Sequence, residues 1–144
     1  NSPITRAMFI TVLYRMENEP ETNSENIFED VEENAYYRDA VLWASENNIA
    51  EGITENEFAP NDNITREQMA AIAYRYAKYK GMNTSLENET TYTDNQNISS
   101  YAKEAVSWAA DHNIMNGDDK GGFLPAEKST RAQAAAVFMR IMGI

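Results

Sequence analysis

The chain has 144 residues, of which 42% are hydrophobic, with a net charge of −11 and no cysteine. That is one domain's worth of chain, long enough to bury a core, and it excludes disulfides and thiolate metal sites. With 23 acidic against 12 basic residues, it also argues against nucleic acid, whose binding rests on phosphate neutralisation, and against anionic lipid; no apolar run is long enough for membrane insertion.

The first predicted element is a helix opened by Ile4-Thr5-Arg6-Ala7, with Phe9, Val12, Leu13 and Met16 at i, i+3, i+4 and i+7. Thr5 stands at the N-cap, and Met8 stands where a capping box needs Glu or Gln, so the box is incomplete. A linker near 17–27 leads to Phe28-Glu29-Asp30-Val31. The next helix carries Ala40, Val41, Ala44 and Asn47 on one face, with Trp43 beside them. Its small, weakly apolar face suits close helix packing. Gly52 is expected to relieve a left-handed helix end. Glu57-Phe58-Ala59-Pro60 then runs extended into a helix opened by Ile64-Thr65-Arg66-Glu67. That helix has Met69, Ile72, Ala73 and Tyr76 as its stripe, and Gln68 completes its capping box. A second linker lies near 80–92. Tyr92-Thr93-Asp94 follows, then a helix with Ala105, Val106, Trp108, Ala109 and His112, a turn at Gly117, and an extended piece at 122–125. The last helix opens with Ser129-Thr130-Arg131-Ala132, boxed by Gln133, with Ala134, Val137, Phe138 and Ile141 as its stripe. Ile4 with Phe9, and Ile64 with Met69, can staple their helix starts; Ser129 cannot.

These elements repeat. Trp43 and Trp108, Gly52 and Gly117, Phe58 and Phe123, and Arg66 and Arg131 are each 65 positions apart (108 minus 43). The first copy keeps only its tail, so an upstream neighbour is expected. The pattern divides the chain into a truncated repeat at 1–20, a second repeat at 27–80 and a third at 91–144. Together they form one all-α domain of five helices with short extended connectors.

Arginine at a helix start opposes the macrodipole by roughly 0.3–1 kcal/mol, so three such residues need a reason. Arg6, Arg66 and Arg131, with the helix N-termini, can bind a carboxylate or phosphate. Alternatively they form internal ion pairs with Asp30, Asp94 or Glu127. Arg15, Arg75 and Arg140 lie late in their helices, where cations suit the dipole, and read as structural. Trp43 and Trp108 admit two readings, core residues or sugar-stacking platforms. His112 takes the place of Asn47 and builds no triad. The Asn116–Gly122 segment lacks the acids of a calcium loop. No catalytic residue, metal or cofactor is implied.

The series Phe28-x-Asp30-Val31, Ala40-Val41-x-Trp43-Ala44, Ile49-x-x-Gly52, Phe58-x-Pro60 and Ile64-Thr65-Arg66-Glu67 resembles the S-layer homology repeat, and 92–133 is similar to a following copy. The resemblance implies a pseudo-threefold helical bundle. It also implies non-covalent tethering of a bacterial surface protein, outside the cell, to secondary cell wall polysaccharide, often one bearing ketal-linked pyruvate. The family's Thr-Arg-Ala-Glu motif lies in grooves between repeats. That carries over to Thr65-Arg66-Glu67, to Thr130-Arg131-Ala132-Gln133 and to Thr5-Arg6-Ala7-Met8, although Met8 and Gln133 replace the expected acid.

The expected function is therefore anchoring to an anionic cell wall polysaccharide, without catalysis. The candidate glycan-binding residues are Arg6, Arg66, Arg131, Thr65 and Thr130, with Trp43, Trp108, Asp30, Asp94, Gly52 and Gly117. The rival reading is a protein–protein docking or self-assembly module. The stripe of Phe9, Val12, Leu13 and Met16 is expected to pack centrally, while the flank that the missing Trp helix would have covered is expected either to promote self-association or to leave an open third groove.

Overall fold

A computed structural model describes residues 2–88 and 90–143. Among them are five α-helices: α1 (Arg6–Met16), α2 (Arg38–Glu46), α3 (Arg66–Tyr79), α4 (Lys103–Asp111) and α5 (Arg131–Met142). The described residues form isolated β-bridges but no strand. The protein is all-α, as its helical periodicity requires.

Local chemistry sets the helix starts. Thr65 accepts the Gln68 N–H at 3.3 Å while Gln68 Oε1 accepts the Thr65 N–H at 3.0 Å. Thr130 and Gln133 form the same box at 3.1 and 3.0 Å. Thr5 caps α1 through the Met8 N–H at 3.1 Å, and with Met8 at N3 the reciprocal bond has no acceptor.

The chain divides into two compact units, one of Ile4–Asn63 and one joining Asn1–Pro3 to Ile64–Ile144. The boundary falls inside the repeat drawn at 27–80. In the first unit α1 packs on α2; in the second, α3 packs on α4 and α5. Each tryptophan helix thus buries its face against the Thr-Arg helix of the preceding copy. Trp43 meets Tyr14 at 5.5 Å between centroids, and Trp108 meets Tyr74 at 5.4 Å. Both indoles are 1% exposed. Their repeat therefore marks core, and they offer no open face to a sugar.

The apolar stripe of α1 is covered. Phe9 and Leu13 are fully buried, and Val12 and Met16 are partly covered.

The glycine turns also differ from expectation. The left-handed residues after α2 and α4 are Asn48 (φ 58°) and Asn113 (φ 57°), not the glycines. Asparagine tolerates this C-terminal position, and the Ile49 and Ile114 N–H groups then reach the Ala44 and Ala109 carbonyls at 2.8 and 2.7 Å. Gly52 and Gly117 serve close approach. A Cβ on Gly52 would lie 2.5 Å from the Thr54 carbonyl oxygen and 2.8 Å from the Phe28 ring; one on Gly117 would lie 2.5 Å from the Gly122 oxygen and 2.6 Å from the Tyr92 ring.

Candidate functional site

The connectors before the Thr-Arg helices are kinked rather than extended, with Ala59 at φ 57° and Leu124 at φ 61°. A left-handed non-glycine residue costs roughly 1–2 kcal/mol. The compensation is visible. Both oxygens of Asp30 accept consecutive N–H groups, from Phe58 at 2.8 Å and Ala59 at 2.7 Å. Asp94 does the same for Phe123 and Leu124, at 2.9 and 2.8 Å. Successive N–H groups turned toward one side form an anion-binding nest, here filled by the protein's own carboxylate. Burial pushes the Asp94 carboxyl up, but the Phe123 and Leu124 N–H bonds outweigh it and hold the group below the usual carboxylate value.

The phenylalanine before each kinked residue receives an arginine. Arg66 Nε donates to the Phe123 carbonyl at 2.8 Å and Nη2 to the Asn116 carbonyl at 2.7 Å. Its guanidinium lies over the Phe123 ring, 4.7 Å from the centroid. Arg6 repeats this with the Phe58 and Glu51 carbonyls, at 3.2 and 2.8 Å, and the Phe58 ring at 4.8 Å. Arg66 is 8% exposed and Arg6 5%. Burial lowers the Arg66 pKa, and the fields of Glu127, Tyr92, Asp118 and Asp94 oppose it; a guanidinium stays charged throughout the physiological range. The expected Arg66–Asp94 ion pair is replaced by an indirect link, with both side chains holding opposite sides of Phe123.

The N-termini of α1 and α3 are not open anion sites. In α3 the Arg66 and Glu67 N–H groups donate to the Glu127 and Pro125 carbonyls at 2.9 and 3.0 Å; in α1 the Arg6 and Ala7 groups donate to Asp62 and Pro60, both at 2.9 Å. The Thr5 and Thr65 hydroxyls take the next N–H in each. The connectors fill these two helix starts, so a ligand there must be met by side chains.

A cleft of about 340 Å³ opens beside Arg66, between α3, the 114–116 turn and α5. Its polar lining is Arg66, Asn116, Gln133 and Arg140, with no carboxylate. Among the described residues Arg66 Nη1 has no partner, and Arg140 uses Nη1 on the Ile114 carbonyl at 3.2 Å. A neighbouring recess of about 220 Å³ shares Arg66, Asn116 and Gln133 and adds Gly117, Asp118 and Glu127.

Of the expected site residues, Arg66 and Gly117 come to these openings. Thr65 and Thr130 are caps, Asp30 and Asp94 are backbone clamps, Gly52 is a close-packing residue, and Arg6 holds the connector that leads into α3. Arg131 stands exposed at the start of α5, next to the cleft-lining Ala132 and Gln133. Sequence reasoning assigned Arg140 to structure and overlooked Asn116. The repeat of Phe58 at Phe123 was the available signal for the ring beneath each arginine.

The S-layer homology domain family matches residues 27–70 and 91–135. An amylopullulanase of Thermoanaerobacterium thermosulfurigenes is 36% identical over 146 residues, covering 99% of this chain and 8% of the relative. An endoglucanase of Bacillus sp. (strain KSM-635) is 39% identical over 140 residues, covering 96% and 15%. The surface-layer 125 kDa protein of Lysinibacillus sphaericus is 31% identical over 116 residues, covering 78% and 10%. The chain spans only a small part of these relatives' lengths, and their enzymatic names describe the longer proteins. With more than half of its residues matched in two repeats, the chain belongs to the S-layer homology domain family, a family of binding modules found on cell-surface proteins.

Proposed function

We propose that the chain anchors its parent protein to the cell wall by holding an acidic wall glycan in the cleft beside Arg66. The observation that carries this reading is the lining. Two guanidiniums and two carboxamides, with no carboxylate, face one cleft in a chain of net charge −11. Such a local positive focus favours a carboxylate, and guanidinium recognises one through charge-assisted bonds. A ketal-linked pyruvate on a sugar presents that group. The amides and the adjoining recess supply partners for the sugar hydroxyls.

The test is co-sedimentation with purified cell walls, before and after mild acid removal of ketals. Acid treatment should abolish binding. Arg140→Ala leaves the buried Arg66 lock intact and should weaken binding tenfold or more, the order expected for one charged hydrogen bond at about 1.5–3 kcal/mol. Equal sedimentation with treated and untreated walls, or unchanged affinity in Arg140→Ala, refutes the proposal.

A further inference from the structure

The Ile4–Asn63 unit contains a second, larger cleft of about 530 Å³, at the end of α1 remote from Arg6. At the corresponding place in the other unit two side-chain hydrogen bonds are made. Tyr74 donates to Glu104 Oε1 at 2.7 Å, and Tyr101 donates to Glu67 Oε2 at 3.2 Å. The repeat alignment shows why the first unit differs. Asp39 stands in place of Glu104 and is one methylene shorter; Ala7 stands in place of Glu67 and has no carboxylate. Tyr14 accordingly turns to the Pro20 carbonyl at 2.9 Å, and Asp39 turns to Arg38 at 2.8 Å. Tyr36, the counterpart of Tyr101, is 63% exposed, and its hydroxyl has no partner among the described residues.

The opened space has the chemistry of a saccharide subsite. Tyr36 supplies a ring face, braced edge-on by Tyr37 at 5.1 Å between centroids. Arg15 and Arg38 supply donors, and Glu19, Glu21 and Asp39 supply acceptors. Arg38 Nε is shielded from solvent and has no hydrogen-bond partner among the described residues, so the donors that Arg38 offers the cleft are those of its Nη atoms. Three carboxylates against two guanidiniums disfavour a polyanion, unlike the lining beside Arg66.

We infer that this cleft binds a neutral or amino-bearing saccharide, stacked on Tyr36 and hydrogen-bonded by Arg38 and the facing carboxylates. The inference does not depend on the acidic-glycan reading, because it concerns a different cleft and an opposite charge preference.

The test is a titration of the whole chain with the trimers of N-acetylglucosamine and of glucosamine, followed by NMR shift changes and calorimetry. At least one trimer should bind at millimolar affinity or better, with shifts centred on Thr11, Tyr36 and Arg38. Tyr36→Ala should weaken binding about five- to tenfold, the loss of one ring contact. Asp39→Glu should weaken it as well, by letting the longer carboxylate reach Tyr14 as Glu104 reaches Tyr74. Arg140→Ala should leave it unchanged. Absence of binding by both trimers, shifts centred elsewhere, or unchanged affinity in both Tyr36→Ala and Asp39→Glu overturns the inference.

Discussion

The same Thr-Arg phrase occurs at three helix starts, and the structure assigns its arginines unequal weight. Replacing Arg66 with alanine strips donors from the Phe123 and Asn116 carbonyls and removes the cation above the Phe123 ring. Stranding a buried acceptor costs roughly 1–3 kcal/mol, and the cation–π contact adds about 0.5–1 kcal/mol. Relief of the guanidinium's own desolvation offsets part of this. A net loss of about 2–4 kcal/mol follows, against about 1 kcal/mol for Thr65→Ala, which removes only a cap. Arg6→Ala should match Arg66→Ala, because its carbonyl and ring partners are the same in kind. Arg131→Ala should fall within about 0.5 kcal/mol of the parent, as exposed substitutions usually do. Urea unfolding followed by circular dichroism measures all four variants. The reasoning is refuted if Thr65→Ala is the more damaging change, or if the three arginine variants lose equal stability.

Three further outcomes are expected. Ser129 occupies the place of Ile64, is 0% exposed, and has no partner for its Oγ among the described residues; Ser129→Ala should therefore raise stability by about 1 kcal/mol in the same assay. Gly117→Ala should destabilise by about 1–3 kcal/mol through overpacking, because its Cβ would meet a carbonyl and the Tyr92 ring; a neutral melt would show that the turn gives way freely. Asp94 is held below its ordinary pKa in the folded state, so its contribution is complete above the unfolded carboxylate pKa near 4 and is lost as pH falls through the lower folded value. Asp94→Asn should therefore be less stable than the parent at pH 7, with the gap closing as pH drops below the carboxylate range; a pH-independent gap would contradict the clamp.

What the sequence determined by itself is what depends on neighbours within a turn or two. The three Thr caps, the two boxes with Gln68 and Gln133, and the missing box at Met8 were all legible, because each bond spans three residues and follows from helix geometry. The repeat was equally legible, and with it the family and the all-α class. Only the tertiary structure decided the roles of the acids and arginines. Arg66 finds its carbonyls 50 and 57 residues away, and Asp94 finds its N–H groups 29 and 30 residues away. Backbone carbonyls and amides occur at every position, so no residue type announces which of them a buried guanidinium or carboxylate will meet. The tryptophans, the glycines and Arg140 changed roles for the same reason. Exposure, close approach and the lining of a cleft are properties of surfaces assembled from distant segments, and they come into being only when the helices pack.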